Sequence, residues 1–254
     1  MFDYTVELLI FGISNKENIN IRELSKKNLS VILVKRDKEP FKDMLVLPGG
    51  YVNNNETSKD AALRILEKET SLKDVYMQQV GVYDSLNRDP RGRTVSSSYM
   101  GLIDRTILKQ DLSSEASWFD IEVEEKEDVI KVRLINEEII SYDVKKITID
   151  KKTNEYDYEI INKSELAFDH DEIIVKGIMD LRYKVNSTDI VFNLMPEEFT
   201  IGELKQVYSL LLGRELVNSA FRRVIAPMII ETGRMISSGG HRPSMLCKYN
   251  EGDK

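Results

Sequence analysis

LPGGYVNNNETSKDAALRILEKETSL, residues 47–72, is the stretch on which the reading of this chain turns. It has the form of a strand end, a glycine-rich turn and a helix over residues 58–70. Pro48-Gly49-Gly50 is strong turn chemistry, because glycine accepts positive φ and lets another group approach the backbone closely. A turn of this kind ahead of a helix is the form of a phosphate-handling loop. The helix behind it carries Arg64, Glu67 and Glu69.

Glu56 follows Gly50 after five residues, and Arg64 follows Glu56 after seven. This spacing resembles the Nudix box, the signature of the Nudix hydrolases. In that family the arginine is followed by a glutamate, and then by a Glu-Glu pair beginning four positions after it. Those glutamates hold magnesium against a substrate diphosphate. The matching positions here are Ile65, Lys68 and Glu69, so two of the three ligands are absent. Magnesium wants carboxylate oxygens in near-octahedral array. Ile65 offers no oxygen, and Lys68 places a positive charge where the metal would sit. Glu67 lies two residues from both Ile65 and Glu69; at about 100° per residue it points to another side of the helix. Glu69, even with Glu56, is a poor cage. The expectation is a binding pocket without turnover. No catalytic residue is expected; Glu56, Arg64 and Glu69 remain from the box, Glu69 being the residual metal ligand. No cofactor is required, and magnesium is poorly accommodated.

The rest of the chain fits a soluble globular protein, with 254 residues, 41% hydrophobic and 31% charged. Its one cysteine, Cys247, excludes an intrachain disulfide and suits a reducing compartment. The opening MFDYTVELLIFGIS has no basic leader, and its apolar run is too short for a membrane span and too mixed for a signal peptide. The expectation is a cytoplasmic protein that does not enter a membrane. Net charge is −7, which taken alone argues against nucleic acid. Residues 213–250 nevertheless carry +4, leaving −11 on the remainder. An acidic body with a basic segment points to a polyanion partner.

Outward from the box, strands are expected over residues 4–13, 29–35, 75–84 and 94–103, giving a mixed sheet around the helix. Between the last two, Asp89-Pro90-Arg91-Gly92-Arg93 presents guanidinium groups from a turn, and guanidinium pairs well with phosphate. Similar loops occur in the ADP-ribose pyrophosphatase branch of the Nudix proteins. Ser117-Trp118-Phe119 reads as a hydrophobic anchor closing the first domain, and residues 122–127 (EVEEKE) as a solvated edge. From residue 128 to 161 apolar and polar residues alternate, as in half-exposed antiparallel strands. The segment 121–163 looks like an insertion in a compact domain.

In the second half, Asp169 reads as the cap of a helix whose apolar stripe is Ile174, Ile178 and Leu181. His170, with no second histidine or cysteine cluster near it, is expected in a first-turn surface or packing role. Thr200 and Glu203 form a capping box for a second helix that Gly213 stops. Asn218 is expected to cap a third, with Phe221, Val224 and Ile225 inward and Arg222 and Arg223 off that stripe. Two short helices about a tight turn, the second basic outside, are helix-turn-helix organisation. The glycine-rich basic stretch after Pro227, ending in a strand over residues 244–249, reads as a wing.

LAFDHDEII (residues 166–174), MPEEFT (195–200), FRR (221–223) and GGHRP (239–243) together resemble the NrtR-type Nudix-related transcriptional regulators. That resemblance implies an α+β protein. Residues 1–165 would form a Nudix-like mixed-sheet α/β/α sandwich with a β insertion. Residues 166–254 would form a winged helix-turn-helix domain. It implies a nucleotide effector such as ADP-ribose, contacted by Gly49, Gly50, Arg64, Arg91, Arg93 and Tyr99. It also implies double-stranded operator DNA: Asn218, Arg222 and Arg223 would enter the major groove, and Arg234, His241 and Arg242 of the wing would fix register. Such regulators are usually homodimers. Two other readings compete. One is a magnesium-dependent hydrolase of the ADP-ribose pyrophosphatase type, with Glu56 and Glu69 carrying the metal. The other is an interaction module using the inserted sheet.

Overall fold

The computed structural model describes residues 2–15, 26–108, 111–153, 155–162, 165–237 and 243–252. They form two compact units. The first comprises residues 1–11, 30–102 and 108–180; the second comprises 12–29, 103–107 and 181–254.

The large sheet is built on β1 (Asp3–Asn15) and β2 (Lys27–Lys35), which lie side by side at its centre. β1 is buried without interruption from Thr5 to Phe11, so both of its faces are covered. The short strands β3 (Leu45–Val46) and β4 (Gly49–Tyr51) pair antiparallel with β2 and β1. Helix α1 (Ser58–Thr70) spans the expected residues. Thr57 and Asp60 close a capping box at its start, and Ser71 caps its end in the left-handed conformation. β5 (Tyr76–Tyr83) and β6 (Thr94–Asp104) complete one side of the sheet.

The other side is a meander of β7 (Ala116–Lys126), β8 (Val129–Ile135), β9 (Ile139–Asp150) and β10 (Glu155–Ile160). β8 alternates buried and exposed residues, as the period of two requires. The segment 121–163 therefore extends the same sheet. Ser117, Trp118 and Phe119 do not close the domain; they pair with Leu33, Ile32 and Val31 of β2, and the strand runs on.

The expected boundary at 165/166 is not where the units part. They part inside helix α2 (His170–Ser187), between Asp180 and Leu181. The first turns of that helix pack on the Nudix-like sheet: a Cβ at Gly177 would lie 2.3 Å from Leu9 Cδ1. Ile174, Ile178 and Leu181 are buried as the stripe predicts. Asp169 does not cap the helix with its side chain, because both its oxygens accept from Arg88, at 2.8 and 2.9 Å.

In the second unit, β11 (Phe199–Thr200) leads into α3 (Ile201–Leu212), and α4 (Asn218–Ile225) follows after a tight turn. β12 (Ile229–Ile236) and β13 (Ser244–Tyr249) form an antiparallel hairpin with β11 added beside β13. Thr200 and Glu203 make the capping box, and Gly213 ends α3 at φ 64°, a left-handed position that glycine occupies without strain. Tyr208 and Phe221 meet edge to face at 5.3 Å and hold α3 to α4. Asn218 is not the cap of α4. Val217 holds that position, without a side-chain hydrogen bond, and Asn218 is the first helical residue. Val224 is exposed; the buried face of this short helix is Phe221 and Ile225 alone, one helical turn apart.

Candidate functional site

A cavity of about 220 Å³ opens in the first unit beside the residue 47–51 turn. Gly49 and Gly50 line it. Neither has positive φ. Their value lies in close approach and not in turn geometry: Gly49 pairs with Glu7 in the β1–β4 ladder. A Cβ at Gly49 would stand 2.1 Å from Glu7 Oε2 and 2.7 Å from the Val6 carbonyl oxygen.

The box residues are engaged with one another. Arg64 grips Glu56 through two hydrogen bonds, at 2.6 and 3.0 Å, and donates to the Tyr51 carbonyl at 3.1 Å. These bonds, with the Asn53 N–H, pull the Glu56 carboxyl down to about 2. Arg64 thus braces the loop and does not line the cavity. Glu69 does line it, buried, with Lys68 Nζ 2.9 Å from its Oε1 and the Ser113 hydroxyl donating to its Oε2. Glu67 faces away and pairs with Lys73 at 3.1 Å. Ile65 is buried near Gly50. Among the described residues no group of three or more His, Cys, Asp or Glu side chains is placed to hold a metal. Glu56 is held by Arg64 and Glu69 by an ammonium group, and the other carboxyls of the cavity lining are Glu7, Asp37, Asp89 and Glu115.

The arginine loop is only partly in the cavity. Arg91 lines it, its guanidinium held by Asp89 at 2.6 and 3.0 Å. Arg93 does not; it donates to the Asp84 carbonyl on the far side of the turn. Tyr99 is also away from the cavity, buried with its hydroxyl 2.7 Å from Ser58 Oγ.

The cavity has walls that sequence reasoning missed. Lys35, Arg36, Lys68 and Arg88 join Arg91 there, beside the carboxyls of Glu7, Asp37, Glu69, Asp89 and Glu115. Phe168 lines it with an edge-to-face contact to Phe41 at 4.8 Å; the guanidinium carbons of Arg36 and Arg91 lie 5.2 and 5.9 Å from the Phe168 ring centre. An aromatic face flanked by guanidinium groups suits a base or ring together with phosphate. Glu7 and His170 close the floor. His170 is buried, not at the surface, and its Nδ1 accepts the Leu47 N–H at 2.8 Å. The neutral ring then carries its proton on Nε2, 3.7 Å from Glu7 Oε2. Burial pushes the Glu7 carboxyl up to about 8, against the opposing charge of Arg88, and pushes His170 down to about 4. Glu7 had one visible signal, a lone acid in the apolar run TVELLIF. His170 and Arg88 had none that a single sequence displays.

In the second unit, Asn218 and Arg222 line a groove of about 800 Å³ with residues of α3. Arg223 is exposed on α4 but does not line that groove. Arg234 lies on β12 and is paired with Glu198. His241 and Arg242 lie outside the described residues. Among the described residues no helix is long and apolar enough to cross a membrane.

Two domain families match the chain. The NUDIX domain matches residues 18–137, and the NrtR DNA-binding winged helix domain matches residues 191–249. The ADPR responsive transcriptional repressor NtrR of Acinetobacter baylyi is 26% identical over 250 residues, covering 96% of this chain and 81% of that one. A solved MutT/nudix family protein from Enterococcus faecalis superposes with a TM-score of 0.72 at 25% identity, over 98% of this chain and 87% of that one. The Shewanella oneidensis NrtR complexed with a 27mer DNA gives 0.69 at 23% identity, over 97% and 93%. The last shares the fold.

Proposed function

We infer that this chain, which belongs to the NrtR-type Nudix-related transcriptional regulators by its two matched domains, binds operator DNA through its winged helix and a nucleotide effector through its Nudix-like cavity. The effector class is a nucleotide metabolite such as ADP-ribose, the ligand to which the Acinetobacter relative is named as responsive. The observation that carries the reading is the box helix. The turn, the helix and a cavity wall that sets Arg36 and Arg91 about the Phe168 ring are kept, while the box positions that carry glutamates in the Nudix hydrolases hold Ile65 and Lys68, and Glu56 is held by Arg64. Recognition survives where metal-assisted hydrolysis lacks its ligands. The working form would be a cytoplasmic homodimer, matching two half-sites on a palindromic operator.

The test is retardation of duplex DNA from the gene's own upstream region, with and without ADP-ribose. Binding that the nucleotide changes several-fold is the expected result. Absence of any retarded complex at low salt would sink the DNA reading. Magnesium-dependent release of nucleoside monophosphate from ADP-ribose, lost in Glu69→Gln, would replace the sensor by a hydrolase.

A further inference from the structure

We propose that the groove between α3 and α4 seats the phosphodiester backbone of duplex DNA, with Lys26, Lys205, Arg214 and Arg222 as its phosphate contacts. The proposal rests on the DNA-binding reading above and adds to it Lys205 and Arg214 within the helix-turn-helix and Lys26 from outside it. Among the described residues the groove, about 800 Å³, is lined by these four cations, by Lys27 and by one carboxylate, Glu215. That is a strong local excess of positive charge in a chain of net charge −7.

Lys27 has a different part from its neighbours. Its side chain is 9% exposed and its Nζ lies 3.4 Å from Glu203 Oε1, in the first turn of α3. That pair fixes the start of β2 against α3 and leaves the exposed Lys26 at the groove's rim. Lys26, Lys205, Arg214 and Arg222 are in no ion pair among the described residues. Four like charges gathered round one opening repel each other until an anion lies among them. Two more features favour that anion. Ile201 and Gly202, at the N-terminus of α3, line the same groove, so the positive end of the helix dipole meets it. Ser209, on the same wall, buries its hydroxyl oxygen without a hydrogen-bond partner among the described residues, and that hydroxyl is able to donate to a phosphate oxygen.

The groove is far larger than one phosphate group and runs beside the helix that would read bases, which fits a length of backbone better than a free anion. It also divides two adjacent arginines. Arg222, inside the groove, fixes register on the backbone. Arg223, outside it, is left for base edges.

The experiment is binding of the full chain to a random-sequence duplex three helical turns long, followed by anisotropy across a KCl series. Each lost phosphate contact lowers the slope of log affinity against log salt by about 0.9. Lys26→Gln with Lys205→Gln therefore lowers it by about 1.8, and Lys26→Arg with Lys205→Arg retains it. Arg222→Gln, a single exposed change, lowers it by about 0.9 without altering preference among sequences. Unchanged slopes in both the double lysine variant and Arg222→Gln, with wild-type melting temperatures, overturn the proposal. A wild-type chain that binds no duplex at the lowest salt overturns it together with the regulator reading; binding with unchanged slopes leaves that reading standing.

Discussion

Single residues in the cavity show how far a side chain's chemistry depends on remote neighbours. Glu7 sits under Arg88, Asp169 and His170, with the Ser96 hydroxyl donating to it at 3.2 Å. Its carboxyl rises from an ordinary 4.5 to about 8, while His170 falls from 6.5 to about 4. Between pH 6.5 and 8 the folded chain keeps a proton on Glu7 that the unfolded chain has released. Stability therefore falls as pH rises through that window. Below 6.5 His170 acts in the opposite sense, because the unfolded imidazole takes up a proton that the buried ring refuses. Glu7→Gln removes the first effect and keeps the second. Thermal melts from pH 6 to 8.5 will show a decline in the wild type that flattens in this variant; an equal decline in both would refute the assignment to Glu7. The same crowding explains Gly49, where any Cβ meets the Glu7 carboxylate and the Val6 carbonyl.

Among the elements, the helix ends carry stability that is easy to read and to test. At α3, the Thr200 hydroxyl accepts from the Glu203 N–H at 3.1 Å, and Glu203 accepts from the Thr200 N–H at 2.9 Å. At α4 no side chain performs this service, since Val217 occupies the cap. Thr200→Ala is expected to cost about 1 kcal/mol, and Asn218→Ala under about 0.5 kcal/mol, in urea unfolding of the full chain. Equal losses at the two sites would mean that Asn218 caps α4 after all. Elsewhere the Arg88–Asp169 pair ties the loop after β5 to the start of α2, and its near-burial makes loss of one partner more damaging than loss of both.

At the scale of the molecule, charge is unevenly spread: residues 213–250 carry +4 and the remainder −11. The cavity of the first unit gathers Lys35, Arg36, Lys68, Arg88 and Arg91 beside the carboxyls of Glu7, Asp37, Glu69, Asp89 and Glu115. A ligand that binds only the native chain raises its melting temperature by mass action, worth about 2.7 kcal/mol at a hundredfold excess over Kd. ADP-ribose is expected to raise the melting temperature equally with magnesium and with a chelator, because Lys68 already stands beside Glu69 where the metal would sit. A shift that appears only with magnesium would show that the carboxylates regroup around the ion.

Much was legible because it is local. The Gly50–Glu56–Arg64 spacing, the Thr200–Glu203 box, the Gly213 stop and the alternation in β8 each depend on residues within a few turns or strand steps of one another. Their periods are set by backbone geometry, so the sequence by itself determined these elements, while the Nudix-like and winged-helix architecture was legible through the resemblance its motifs carry. The partners of the charged side chains were decided only in three dimensions. Arg64 turned to Glu56, Arg93 left the cavity, Tyr99 closed on Ser58, and Glu7, Arg88 and His170 met from segments far apart in the chain. Burial and ion pairing arise from contacts across the sheet, and no spacing along the chain encodes which distant side chain will remove water from a carboxylate or complete a cavity wall.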